Sequence, residues 1–196
     1  MKIVYGISLA VLIAVAPDAQ AFDPLTSLAG EAITTTMDVR TKAEVKNDLD
    51  ISTSANKRLL DDKRAEWSGV TLLVFAQHVV LAGAVKSDDM RKLVEEIVGK
   101  DKRIRSLKNE IVVIRKKGDE GSLANDKPID VKVNATLTST KGIGSVNMRW
   151  KTVNGTVVIM GAAQSDGESR LAVSKIRGLD GVKGVKNYLR IVSKKK

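Results

Sequence analysis

His78 is the one histidine in this 196-residue chain, and the chain has no cysteine. A zinc site needs several nitrogen or sulfur ligands, which one imidazole cannot supply. His78 falls at the tip of a predicted hairpin, where it reads as an exposed turn residue and not as a general base. Asp88-Asp89 offers two neighbouring carboxylates. Adjacent acids that open a helix are accounted for by capping and by the helix dipole. No Gly-x-Ser-x-Gly elbow occurs, and no strand precedes Gly142-Ile143-Gly144 to make it a phosphate-binding loop. The residues therefore predict a protein that is not an enzyme and holds neither cofactor nor metal.

What the chain does carry is positive charge, net +10. It clusters at Lys100, Lys102, Arg103 and Arg105, again at Arg115, Lys116 and Lys117, and in the tail Lys194, Lys195 and Lys196. A solvated face is the ordinary use of such a run. If the clusters share one side, each cation near an anionic surface contributes about 1 kcal/mol, and together they give reversible, salt-sensitive adsorption. These ten residues are the candidate lipid contacts. With only 3% aromatic residues, the chain has few platforms on which to stack single-stranded nucleic acid.

The N-terminus points the same way. Lys2, the apolar run from Ile3 to Ala16, and the triplet Ala19-Gln20-Ala21 read as a signal peptide cleaved after Ala21. Pro17, Asp18 and Gln20 interrupt the run before it reaches the ~20 residues of a membrane span. An exported basic protein meets phospholipid headgroups and cell-wall polymers before nucleic acid, which is excluded as a partner. Without cysteine there is no disulfide and no lipidated N-terminal Cys, so the expectation is a periplasmic protein that is not a lipoprotein.

The elements that must position these residues come twice. Val79-Val80-Leu81-Ala82-Gly83-Ala84-Val85 recurs as Val157-Val158-Ile159-Met160-Gly161-Ala162-Ala163, a spacing of 78. The same spacing pairs Leu93 with Leu171, Ile104 with Val182, Leu107 with Val185, Asn109 with Asn187 and Val113 with Ile191. Two copies of so long a unit are two small modules, not a solenoid. Each opens with a predicted helix, with Asp38, Thr41, Val45 and Leu49 on one face in the first and Asp126, Ile129, Val133 and Leu137 in the second. Asp is a good N-cap and Pro128 fits a first turn. The opening Asp residues lie 88 apart, which predicts about ten extra residues in the first copy, around Ser52 to Arg64.

A hairpin follows. Val146, Met148 and Trp150 alternate with polar residues, Asn154-Gly155 signals a type I′ turn, and Val157 and Ile159 return. In the first copy Val70, Leu72 and Val74 alternate, and Gln77-His78 takes the turn. Ser87 and Ser165 cap a second helix, Ser165 with Glu168 as a capping box. Its apolar stripe is Leu93, Val94, Ile97 and Val98, or Leu171, Ala172 and Ile176, and covers the sheet. Asn109–Ile114 and Asn187–Val192 close each unit as a last strand.

In order, these elements resemble the BON domain (bacterial OsmY and nodulation). The carrying pattern is Asp-x-x-Ile-x3-Val-x3-Leu, a hairpin ending in Val-x-Leu/Ile-x-Gly, a helix, and Val-x-x-Val-x-Asn-x-Leu. The last element stands here as Ile104-Arg105-Ser106-Leu107-Lys108-Asn109-Glu110-Ile111 and Val182-Lys183-Gly184-Val185-Lys186-Asn187-Tyr188-Leu189. The resemblance implies an α+β fold of two BON-like modules, each helix-strand-strand-helix-strand with helices packed on a three-stranded mixed sheet. The expected division is signal peptide 1–21, N-terminal segment 22–36, first domain 37–114, linker 115–125, and second domain with basic tail 126–196. It also implies an envelope protein that binds phospholipid, linked to envelope integrity and osmotic stress. The alternative it leaves open is a periplasmic chaperone or interaction module for outer-membrane proteins. A cell-wall adhesin working by charge alone is a third class.

Overall fold

Turn chemistry sets the frame of each module. The computed structural model describes residues 37–64, 69–115 and 123–192. In the first module α1 (Lys42–Asp61) precedes β1 (Val70–Phe75) and β2 (His78–Val85), then α2 (Asp88–Gly99) crosses to β3 (Ser106–Val113). In the second, α3 (Leu123–Ser139) precedes β4 (Met148–Val153) and β5 (Thr156–Ala163), and α4 (Asp166–Arg177) leads to β6 (Gly184–Ile191). Each sheet is three-stranded and mixed. The hairpin is antiparallel, and the third strand lies parallel to the second across the crossover helix, giving the orders β1-β2-β3 and β4-β5-β6. The expected element order and sheet are therefore present in both copies.

Asn154 (φ 51°) and Gly155 (φ 76°) occupy the left-handed positions that a type I′ turn requires. In the first module these positions belong to Ala76 (φ 49°) and Gln77 (φ 66°), not to Gln77-His78. His78 instead opens β2 opposite Phe75. Neither Ala nor Gln favours this backbone, so something must hold it. The Asp48 carboxylate accepts the Ala76 and Gln77 N–H groups at 2.8 and 2.6 Å. Asp126 does the same for Asn154 and Gly155 at 2.7 and 2.8 Å.

Asp48 and Asp126 are 78 residues apart, and this corrects the register expected for the first helix. Ile51, Ala55 and Leu59 are the buried face of α1, as Ile129, Val133 and Leu137 are of α3. Val45 and Leu49, expected on that face, are 41% and 46% exposed. There is no ten-residue insertion, since α1 and α3 end at equivalent residues and α1 only starts three residues earlier. Thr41 caps α1 in a complete capping box with Glu44, while Asp38 hydrogen-bonds Arg40. Asp126 is likewise a turn clamp and not an N-cap, and Pro128 lies inside α3, not in its first turn. Ser87 and Ser165 cap α2 and α4 as expected. The Glu168 side chain, however, reaches Gly144 and Gln164 N–H and not the backbone of its cap.

Beneath its helices each module has an apolar core, centred on Leu81, Val94 and Val98 or on Ile159, Ala172 and Ile176. Trp150 packs at the margin of the second of these. A third core lies between the two sheets and joins Phe75, Val80, Ala82 and Ala84 to Val153, Val158, Met160 and Ala162. The order of layers is thus helix, sheet, sheet, helix. This accounts for the near-continuous apolar central strands β2 and β5, which are covered on both faces. The four pairs just named are each related by 78 residues, and contact of β2 with β4 is mirrored by β1 with β5. An approximate two-fold axis therefore relates the modules. Arg149 is half-buried over the Phe75 ring at this layer and donates to the Val146 and Met148 carbonyls, and desolvation pulls its pKa down to about 10.

At one edge of the layer Glu110 accepts hydrogen bonds from Tyr188 and Lys186, and His78 meets Arg190. Burial alone would raise the Glu110 carboxyl, but the Lys186 and Tyr188 bonds outweigh it and hold it below the ordinary value of 4.5. Burial first, then Arg190 and Arg105, keep His78 below 6.5. The two signs agree. The Glu110 bonds stabilise above the unfolded value and are lost as pH falls through the folded one. The unfolded chain takes up a proton at His78 that the folded seam resists, so this stability too falls below about pH 6.5. Acidification from about pH 7 to about pH 4 is expected to loosen the seam before either helical layer, seen as faster amide exchange in β3 and β6. Equal protection of these strands at both pH values would contradict it.

Candidate functional site

Along its length α1 displays apolar residues outward. Val45, Leu49 and Leu60 (65% exposed) stand four and fifteen positions along the helix, close to a whole number of turns, and so share one face. Lys42, Lys46 and Lys57 are exposed beside them, with Lys46 paired to Asp50 at 2.7 Å. Exposed apolar residues among lysines make an amphipathic surface that can lie in a polar–apolar interface.

The other flank of α1 is taken by the connection from α2 to β3. Asp101 accepts from the Ser54 hydroxyl at 2.7 Å and from Arg103 at 2.6 Å, and Arg58 lies 3.4 Å away. The Arg103 hydrogen bond, ahead of burial, keeps the Asp101 carboxyl far below its usual range. Arg103 also reaches the Asp50 carbonyl, so it is a tie between this loop and α1. Arg105 pairs with Glu44 at 3.2 Å and Lys100 with Glu96 at 3.3 Å, while Lys102 is exposed. Arg115 pairs with Asp88 at the opposite end of α2 from Lys100. The structure thus gathers Lys100, Lys102, Arg103 and Arg105 at one flank of α1 and leaves Arg115 apart. Lys116, Lys117, Lys194, Lys195 and Lys196 lie outside the described residues, as does the N-terminal apolar run.

The other candidates have structural partners. Asp88 pairs with Arg91 and Arg115, and the Gly144 N–H is taken by Glu168. Among the described residues no group of three acids, histidines or cysteines is placed to hold a metal ion. No helix among them is long and apolar enough to cross a membrane. Sequence reasoning missed the outer face of α1 because it assigned Val45 and Leu49 to the core. The spacing of 78, carried back to Asp48, would have found it.

Two copies of one helix-hairpin-helix-strand module, joined face to face, define the class as a tandem α+β repeat protein. The chain belongs to the BON-domain family, whose profile matches residues 47–115 and 125–193. It is 31% identical over 145 residues to an uncharacterised protein from the gshII 5′ region of Anaplasma centrale, covering 74% of this chain and 95% of that one. Two solved structures are also similar. They are CdsD, a structural protein of the type III secretion system of Chlamydia trachomatis (15% identity, TM-score 0.31), and its C-terminal domain (14%, 0.31). They match 74% and 71% of this chain, and the chain spans 64% of each of them. BON-domain proteins are in general proteins of the envelope or periplasm, and the domain is non-enzymatic.

Proposed function

We propose that this protein is exported to the periplasm, its signal peptide cleaved after Ala21, and adsorbs there to anionic phospholipid surfaces. In that setting it supports envelope integrity or osmotic tolerance and catalyses no reaction. The observation that carries this reading is the outer face of α1, where Val45, Leu49 and Leu60 are exposed among Lys42, Lys46 and Lys57. Burial of apolar side chains at the acyl boundary adds to about 1 kcal/mol for each cation near the anionic plane. Exposed Lys102 adds longer-range attraction beside α1, while Lys100, Arg103, Arg105 and Arg115 are offset by their acidic partners, and Lys116, Lys117 and the tail lysines Lys194, Lys195 and Lys196 are proposed to add charge at the same membrane. Salt then weakens binding by screening without abolishing the apolar part.

Flotation with phosphatidylglycerol vesicles tests it. The full chain is expected to float with these vesicles at low salt and not with phosphatidylcholine. Val45→Ser, Leu49→Ser and Leu60→Ser together are expected to lower partitioning about ten-fold or more, on the scale of one to two kcal/mol, without lowering the melting temperature. Absence of binding to phosphatidylglycerol at low salt would refute the reading. If the chain suppressed aggregation of an unfolded outer-membrane protein without touching vesicles, the chaperone alternative would replace it.

A further inference from the structure

Between the two sheets, on the His78 side of the seam, lies a cleft of about 240 Å³. Phe75, Val80, Met160 and Leu189 supply its apolar wall, and His78, Ser106, Lys108 and Arg190 its polar rim. The polar groups are arranged in sequence. Arg190 Nη1 lies 2.8 Å from His78 Nε2, and His78 Nδ1 lies 2.6 Å from Ser106 Oγ. Arginine can only donate, so Nε2 accepts and the imidazole is the neutral tautomer that donates from Nδ1 to Ser106. Arg190 is thereby held in place by a neutral ring. Neither Arg190 nor Lys108 forms an ion pair with any carboxylate among the described residues. The acid beside them, Glu110, is bound by Lys186 and Tyr188.

Arg190, which has no carboxylate partner among the described residues, and Lys108, which shares the charge of Glu110 with Lys186, place net positive charge at the mouth of the cleft and suit an anion with an apolar tail. We propose that this cleft binds an oxyanion head, carboxylate or phosphate, carried on a short alkyl chain. The guanidinium fork of Arg190 matches either head, Lys108 adds charge, and the alkyl segment lies along half-buried Leu189 and Tyr188 at the margin of the core that Val80 and Met160 close. The volume lies below the roughly 300–1,000 Å³ of ordinary small-molecule sites, which restricts the occupant to a short single chain. β2 and β3 come from one module and β5 and β6 from the other, so the ligand closes the seam as it binds. The cleft is lined by residues other than those of the outer face of α1 and does not rest on membrane adsorption.

Titration of the full chain with octyl phosphate, octanoate, octanol and inorganic phosphate, followed by calorimetry, tests the proposal. Octyl phosphate and octanoate are expected to bind saturably at one per chain. Octanol, which lacks the charge, and inorganic phosphate, which lacks the chain, are expected to bind at least ten-fold more weakly. Arg190→Gln, at an exposed position, is expected to weaken octyl phosphate ten-fold or more with unchanged vesicle flotation. Lys108→Gln should weaken it less. Absence of saturable binding, or full affinity in both variants, overturns the proposal. Octyl phosphate binding that persists in the triple serine variant of α1 supports the cleft whatever the vesicles show.

Discussion

Gly161→Ala is expected to destabilise the second module by about 3–5 kcal/mol, enough to unfold much of it. Gly161 has a φ of 125°, a conformation open to glycine and strained for any other residue. A methyl group there would stand 2.0 Å from the Asn147 carbonyl oxygen, a backbone atom that cannot rotate away. Backbone strain of about 1–3 kcal/mol and overpacking of about 1–3 kcal/mol act together. Gly83 repeats both features, with φ 134° and 1.9 Å to the Gly69 oxygen. These are the glycines that end Val-x-Leu/Ile-x-Gly in the two copies. Gly167, in the first turn of α4 with no close backbone neighbour, serves as control. Gly167→Ala should be neutral or slightly stabilising. Urea denaturation of Gly161→Ala, Gly83→Ala and Gly167→Ala checks the ranking, and a Gly161→Ala protein as stable as the parent would refute the steric account.

Asp48→Asn is expected to cost about 2–4 kcal/mol, and Asp126→Asn about 1–3 kcal/mol. Each carboxylate accepts two N–H groups from a hairpin turn, and hydrogen bonds to a charged group are worth about 1.5–3 kcal/mol each. An amide of the same size offers one oxygen and turns an NH₂ toward the other N–H. The order of the two losses follows from the turns. Asn154-Gly155 accepts left-handed backbone with little strain, whereas Ala76-Gln77 needs an external clamp. Asp48 also binds Arg40 at 2.9 Å, so its loss disturbs more. Placing Asn and Gly at the first turn (Ala76→Asn with Gln77→Gly) should recover about 1 kcal/mol of the Asp48→Asn deficit. Thermal melts of the set test it, and a larger loss at Asp126 than at Asp48 would show that turn sequence does not set the demand on the clamp.

How much of this was legible in sequence differs element by element. Alternation, a turn dipeptide and two serine caps were enough to place both hairpins and both crossover helices, because each rests on neighbours in the chain. The register of α1 was not legible from periodicity. The helix bears two apolar rows, Val45 and Leu49 on one and Ile51, Ala55 and Leu59 on the other, and either fits a helical period. Only tertiary contact, through Asp48 and the hairpin turn, chooses between them. The basic run from Lys100 to Arg105 read as a free surface because its acidic partners Glu44, Asp50 and Asp101 are scattered along the chain. The cleft left no linear trace, since His78 and Arg190 are brought together only by the stacking of the sheets. That stacking was implicit in the unbroken apolar stretch of β2, which states burial on two faces and not by what.

The contact between Glu110 and Tyr188 has a meaning for descent. These two residues are equivalent in the repeat, so they meet beside the approximate axis. In a pair of identical modules each would face its own copy, acid against acid or phenol against phenol. Two carboxylates so placed would repel unless one held a proton. Joining both modules in one polypeptide frees each half to mutate alone, and an acid can then be matched with a hydroxyl. The seam thus records a step that only a duplicated gene can take, the exchange of self-recognition for recognition of a diverged twin.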